Sequence, residues 1–178
     1  MIMSDTKILA AIHDKSIVIS PFRNGCLGSN SYDVHLGGTL GQYVDEILDA
    51  KQHNKINTFK IPSDGFLLQP DQFYLGVTEE YTETHKHVPF LEGKSSIGRL
   101  GINIHATAGK GDVGFCNFWT LELSVKKTVR VYANMPIGQL IFFDVSGEVA
   151  TPYNKKSSAK YNCRSDQPIE SMLWKNFI

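Results

Sequence analysis

Lys94-Ser95-Ser96-Ile97-Gly98-Arg99 puts a cation, two hydroxyls and a second cation within one or two helical turns. A helix start offers free backbone N–H groups and the positive end of its dipole, so Lys94 and the serines could receive a phosphate. Ser95 and Arg99 stand four apart and share a face of such a turn. By themselves, Ser95, Ser96 and Arg99 equally describe a helix cap with a surface charge. Past a glycine-rich bend (Gly109, Gly111, Gly114), Trp119 to Val125 alternates as a strand does. Trp119, Leu121, Leu123 and Val125 take one face, leaving Glu122 on the other with Thr120 and Ser124. A carboxylate there either faces solvent or is held for proton transfer, and the strand alone leaves both open.

Further polar groups carry weaker signals. In Ser31-Tyr32-Asp33-Val34-His35-Leu36, alternation turns Tyr32, Val34 and Leu36 inward and Asp33 and His35 outward. Asp112 reads first as a turn residue. His85 and His87, two apart, could share a strand face and bind metal, but a solvated loop is the simpler reading. His105 reads as structural or as a pocket-edge group. The H-x-E and P-C-x-x-C signature of zinc deaminases does not occur.

The elements needed to position these groups are mostly strands. Ser4 caps a short helix with Asp5 in its first turn and Ile8, Leu9 and Ile12 as its apolar stripe, ending near Asp14. Strands are expected at Ser16–Ser20 (stopped by Pro21), Ser31–Leu36, Phe66–Pro70, Phe73–Val77, Gly101–Ala108, Trp119–Val125, Val129–Tyr132 and Gln139–Phe143. The Gly101–Ala108 strand would place Ile102, Ile104 and Ala106 on one side. Phe22–Ser29 and Gln42–Lys60 read as loops. Short strands at close intervals with few helices argue an all-β sandwich or barrel. From Pro152 the chain turns polar and basic, with Lys155, Lys156, Ser157, Ser158, Lys160 and Arg164. Such a segment is mobile unless something ties it down, and by default its lysines are solvated.

Length allows one domain with a real core: 178 residues, 42% apolar and 20% charged. A formal net charge of zero argues against a broad nucleic-acid or anionic-membrane surface, while leaving room for a local anion pocket. Cys26, Cys116 and Cys163 are odd in number and scattered, which suits reduced thiols in a cytoplasmic setting. No signal peptide and no membrane span are expected.

Taken together, EGKSSIGRLG, HATAG, D-V-G-F and WTLEL resemble the dCTP deaminase branch of the trimeric dUTPase-like superfamily. SNSYDVHLG, PIGQLIFF and PY…AKY extend the likeness in collinear order over most of the chain. The resemblance implies a mainly β fold, a distorted β-barrel or jelly roll with a few short helices, assembled as a homotrimer with active sites between subunits. It implies a body over residues 1–151 and a C-terminal tail over 152–178 that closes on nucleotide. Glu122 matches the family's catalytic carboxylate, and Ser95 and Arg99 its partners. Lys94 (usually Arg) and Ser96 match phosphate-contacting positions. Ala108 matches a residue beside the base, Asp112 one near the deoxyribose, and Tyr153 and Lys160 tail residues over the nucleotide. Val113 stands where Pro is common, and Arg164 about where a tail Gln is expected.

The activity implied is hydrolysis of dCTP to dUTP and ammonia in pyrimidine deoxynucleotide metabolism. Glu122 would take a proton from water and pass it to the departing amine, if its surroundings raise its pKa toward neutrality. Arg99 would hold Ser95 and Glu122 in place, with Ser95 stabilising the tetrahedral intermediate. Mg²⁺ would ride on the triphosphate as counter-charge, and zinc is not expected. Neither nucleic acid nor membrane is expected as a partner. Two alternatives stand beside this: a bifunctional enzyme yielding dUMP and pyrophosphate, or a plain dUTPase. Asp33, Asp112 and Thr107-Ala108-Gly109 keep the bifunctional reading open, whereas a plain dUTPase would not need Ser95 and Glu122. A non-catalytic nucleotide-binding trimer is disfavoured by the retained Glu122.

Overall fold

The computed structural model describes all 178 residues, and the chain is mainly β, with two α-helices. In order it runs α1 (Asp5–His13), β1 (Ile17–Ser20), β2 (Tyr32–His35), β3 (Thr39–Tyr43), β4 (Ile56–Lys60), β5 (Phe66–Leu68) and β6 (Tyr74–Thr84). Then come β7 (His87–Gly93), α2 (Ser95–Arg99), β8 (Ile102–Asn103), β9 (Cys116–Val125), β10 (Val129–Val131) and β11 (Pro136–Asp144). All pairings are antiparallel. One sheet runs β4-β3-β6-β9-β8 with β1 added to β6, a second is β2-β11-β7, and a third is the pair β10-β5. The strands thus form three sheets around a common core. The core lies between them, built from the alternate positions of β2 (Tyr32, Val34), β9 (Trp119, Leu121, Leu123, Val125) and β11 (Ile137, Leu140, Phe142).

Several expectations are corrected. In α1 the buried positions are Ile8 and Ala11, whereas Leu9 is exposed. β3 and β4 pair over Thr39–Lys60, where a loop was expected from Gln42 onward, and the polar run Val44–Lys55 is the connection between them. β4 has no fully buried residue, so its outward side chains gave no apolar alternation to read. β7 was also unexpected, and it carries His87 into a strand. The expected strand over Gly101–Ala108 contracts to Ile102–Asn103; Ile104 remains buried but Ala106 is exposed.

β6 and β9 are the long central strands, and their pairing holds a bulge. Val77 pairs with Thr120 and Tyr81 with Phe118, so β6 contributes extra residues between them. The Thr78 hydroxyl fills the broken ladder by accepting the Trp119 N–H at 3.0 Å. The bulge turns the Glu80 carboxylate fully inward, where it accepts from His35 N (2.8 Å), His35 Nδ1 (2.7 Å) and Arg23 Nη1 (3.0 Å). A buried charge is tolerated only when so paired, and this one ties β2 to β6.

The tail does not trail away. Tyr153 N donates to Val113 O at 2.7 Å, and Tyr161 N to the Tyr153 hydroxyl at 3.1 Å. Asn117, 1% exposed, donates to Tyr161 O and Cys163 O at 3.1 and 3.0 Å, and its Oδ1 accepts from Ser165 N at 3.0 Å. Farther on, Ile169 N reaches Thr120 Oγ1 and Ser171 N the Tyr43 hydroxyl, each at 3.1 Å. The tail therefore runs across the outer face of β9 toward β3.

Candidate active site

Glu122 sits on β9 opposite Leu75 of β6, with Leu121 and Leu123 buried on either side of it in sequence. Strand alternation sends those leucines into the core and the carboxylate out toward the tail. Its backbone N donates to Ile104 O at 2.8 Å, and its Oε2 accepts the Ala106 N–H at 2.9 Å. These two bonds fasten the segment before Ala108 onto β9. Oε1 makes no hydrogen bond within the chain, leaving one oxygen free to handle a proton.

The carboxylate opens into a cavity of about 540 Å³ bounded by β9, the Ala108–Phe115 bend and the tail. That volume suits a small organic ligand. Ala108, Asp112, Glu122, Tyr153 and Lys160 all line it. Asp112 is placed by its neighbours: Lys110 Nζ donates to its Oδ1 at 2.7 Å, and Lys156 Nζ lies 3.9 Å from its Oδ2. Gly111 makes the bend fit, because a Cβ there would meet Trp119 Cη2 at 2.7 Å and Pro89 Cγ at 2.8 Å. Gly114, at φ +89°, lets Pro152 and Tyr153 press against the backbone, where a Cβ would lie 2.8 Å from both.

The sequence reading missed much of the wall. Tyr43 and Phe73, stacked with centroids 6.4 Å apart, line one side, and Phe115, Trp119 and Tyr161 add aromatic surface. Burial pushes the Tyr43 phenol up, so it is neutral and its oxygen is available to accept from Ser171 N. Lys110 also faces the cavity. No periodicity marks such residues: they come from five different parts of the chain that only folding brings together. The wall contains no histidine or cysteine, so it offers none of the nitrogen and sulfur donors of a zinc deaminase.

Lys94, Ser95, Ser96 and Arg99 do not line this cavity. They lie on α2, which buries Ile97 and leaves Ser95, Ser96 and Arg99 exposed. The helix starts at Lys94 with no side-chain cap, so the serine hydroxyls are not used for capping. Lys94 Nζ is bonded to the Asp33 carboxylate of β2. Within one chain the cationic α2 and the Glu122 cavity are thus apart. His85 and His87 part company: His85 meets Glu83, while His87 turns to Ser16 and Asp144. His105 lies 3.7 Å from Glu92, outside the cavity. Arg164 stacks over Tyr81, its guanidinium carbon 4.1 Å from the ring centroid, and does not enter the cavity wall.

A family model described as dCTP deaminase-like matches residues 2–145. A protein of Clostridium acetobutylicum named dCTP deaminase, dUMP-forming, is 47% identical, covering 100% of this chain and 99% of its own. One of the same name from Leptospira biflexa serovar Patoc is 44% identical over 99% of this chain and 98% of its own. Among solved structures, the 2'-deoxycytidine 5'-triphosphate deaminase of Agrobacterium tumefaciens superposes with a TM-score of 0.62 at 18% identity. That match covers 79% of this chain and 47% of the other, and it speaks to the fold alone.

Proposed function

The chain belongs to the dCTP deaminase-like family, and from that premise we propose that it is a bifunctional enzyme converting dCTP to dUMP. This is the alternative the sequence keeps beside dUTP, and it is supported by full-length relatives at 47% and 45% identity that both carry the dUMP-forming name. The observation that carries the deamination half is the Glu122 carboxylate, fixed through one oxygen and open at the other, at the mouth of an aromatic-walled cavity.

In the first half-reaction Glu122 takes a proton from water as its oxygen adds to the cytosine carbon bearing the amine. The same proton then passes to the amine nitrogen, which leaves as ammonia. No zinc takes part. Tyr43, Phe73 and Trp119 offer flat apolar surface for the base, while Asp112 supplies an acceptor toward the deoxyribose. Lys110 and Lys160 supply positive charge on the phosphate side. In the second half-reaction another water attacks the α-phosphorus, and pyrophosphate leaves with the electron pair of the broken P–O bond. The substrate arrives as its Mg²⁺ complex. Asp33 and Asp112 are the carboxylates offered to this step.

Ser95, Ser96, Arg99 and Lys94 complete the site from a neighbouring subunit of a homotrimer. The exposure of Ser95, Ser96 and Arg99 on α2, away from the cavity of their own chain, supports this reading. Arg99 and Ser95 then steady Glu122 and the tetrahedral intermediate, and Lys94 and Ser96 meet phosphate. The tail is the lid, with Tyr153 and Lys160 on the nucleotide. Free thiols support a cytoplasmic setting, and no helix is long and apolar enough to cross a membrane. The test is incubation with dCTP and Mg²⁺ while ammonia, dUTP, dUMP and pyrophosphate are followed separately. Ammonia and pyrophosphate released in equal amounts, with dUMP as end product, are expected; dUTP accumulating as end product would reject the bifunctional reading.

A further inference from the structure

Glu83, His85 and Cys116 bring three metal-binding side-chain types to one spot that the proposed reaction does not use. The backbone explains the meeting. Glu83 lies at the end of the β6 ladder and His85 is the first residue past that strand, and their side chains meet at 2.7 Å. Cys116 opens β9 and is the direct cross-strand partner of Glu83, which puts it on the same face as Glu83. The candidate ligand atoms, one nitrogen, one oxygen and one sulfur, all lie within 4.8 Å of one another. A tetrahedral ion at ordinary Zn–N, Zn–O and Zn–S lengths spaces its donors roughly 3.4–3.6 Å apart, so small side-chain rotations suffice.

The surroundings favour a cation. His85 Nε2 lies 2.7 Å from Glu83 Oε2, and no lysine or arginine pairs with this carboxylate. The other oxygen, Oε1, accepts the Tyr81 hydroxyl at 2.9 Å, the kind of outer bond that orients a ligating carboxylate. Tyr81 is itself held by the guanidinium of Arg164. Cys116 Sγ has only a weak contact with Gly114 O at 3.5 Å. The comparable group of His35, Glu79 and Glu80 is different, because the Arg23 guanidinium already fills it with bonds to both glutamates.

We propose that Glu83, His85 and Cys116 bind one divalent transition-metal ion of the zinc type per chain, with solvent in the fourth position beside exposed His85. Mixed N, O and S donors select such an ion over Mg²⁺, which takes oxygen ligands. None of the three lines the Glu122 cavity. Cys116 stands six positions from Glu122 on β9, roughly 20 Å at the ordinary rise of a strand. The ion therefore lies outside the Glu122 site. It clamps the Gly114–Cys116 segment, which Thr84 already grips through Gly114 N and Phe115 O and on which Tyr153 docks.

Cobalt(II) titration of the full-length protein, freed of metal and kept reduced in excess Mg²⁺, tests the site. The expected result is one ion per chain with a sulfur-to-cobalt charge-transfer band, displaced by zinc. Cys116→Ser should remove the band, and His85→Ala should weaken binding beyond the roughly 10–100-fold typical of losing an outer partner. Tyr81→Phe should weaken it within that range, and Cys163→Ser, at an exposed thiol, should leave it intact. Ammonia release by Cys116→Ser should persist. His85 is exposed, so its variant keeps the readout independent of folding. No thiolate band in the unaltered protein, or a band surviving Cys116→Ser, would overturn the proposal.

Discussion

Glu122 is proposed to move a proton twice per deamination, and its geometry suits that role: one oxygen anchored by Ala106 N–H, one free. Glu122→Gln keeps the shape and a hydrogen-bonding group but cannot take the proton. Turnover measured as ammonia release should fall by about 10²–10⁴ while dCTP binding by calorimetry is largely kept. Near-normal ammonia release by that variant would remove Glu122 from its role. A second residue-scale expectation concerns His87, whose side chain is 14% exposed, with Nδ1 3.4 Å from Asp144 Oδ1. Burial holds its pKa below the ordinary value of 6.5, outweighing the opposing pull of Asp144 and Asp14. The folded state thus binds this proton less readily than the unfolded chain, so stability is lost as pH falls through the unfolded value toward the folded one. His87→Gln should flatten the decline in thermal midpoint between about pH 7 and 5. An unchanged slope would show that other groups set the acid limit.

At the scale of elements, the tail and β9 form one device. Asn117 reads both sides: it sits within the strand and bonds the tail at Tyr161, Cys163 and Ser165. Each such bond is worth about 0.5–1.5 kcal/mol net, and removing one side strands buried backbone groups at a further cost. Asn117→Ala should therefore loosen the tail, raising hydrogen exchange over residues 161–165 and lowering kcat/KM for dCTP by roughly tenfold or more. Truncation after Thr151 is the limit of the same change. It should leave a folded body, because the fully buried core residues all precede Thr151, yet one that turns over poorly once water enters the cavity. Loss should be larger for dCTP than for deoxycytidine, which lacks the phosphates that Lys160 is proposed to meet. Equal loss for both would show that the tail is no lid.

For the whole molecule, α2 lies away from the Glu122 cavity of its own chain, so the proposed site requires assembly. In the proposed trimer each cavity would borrow α2 from a neighbour. Arg99→Ala and Glu122→Gln homotrimers should each be inactive. Co-refolded as mixed trimers, they should regain activity in roughly a quarter of the sites by random assortment, since one intact α2 can meet one intact Glu122. Mixtures that stay as inactive as either parent, with exchange verified by mass, would place both groups in a single chain.

What can be read without the structure is whatever a single element expresses in its own period. Trp119 to Val125 declares its buried face, and Glu122 its outward one, because alternation on a strand is a local property. Tyr32, Val34 and Leu36 do the same for β2, and Lys94 to Arg99 shows its helical turn. Chain-spanning wording likewise carries the family. The tertiary structure alone decides what depends on contacts distant in sequence. β4 is a strand because β3 pairs with it, not through any apolar rhythm of its own. Tyr43, Phe73 and Lys110 become cavity wall through chain crossings that no local pattern encodes. The polar tail, unable to form a core, is held by contacts distant in sequence, among them a buried asparagine 44–48 residues before its partners. His85, two residues from His87, is assigned instead to Glu83 and Cys116 because strand register, not sequence distance, determines which side chains meet.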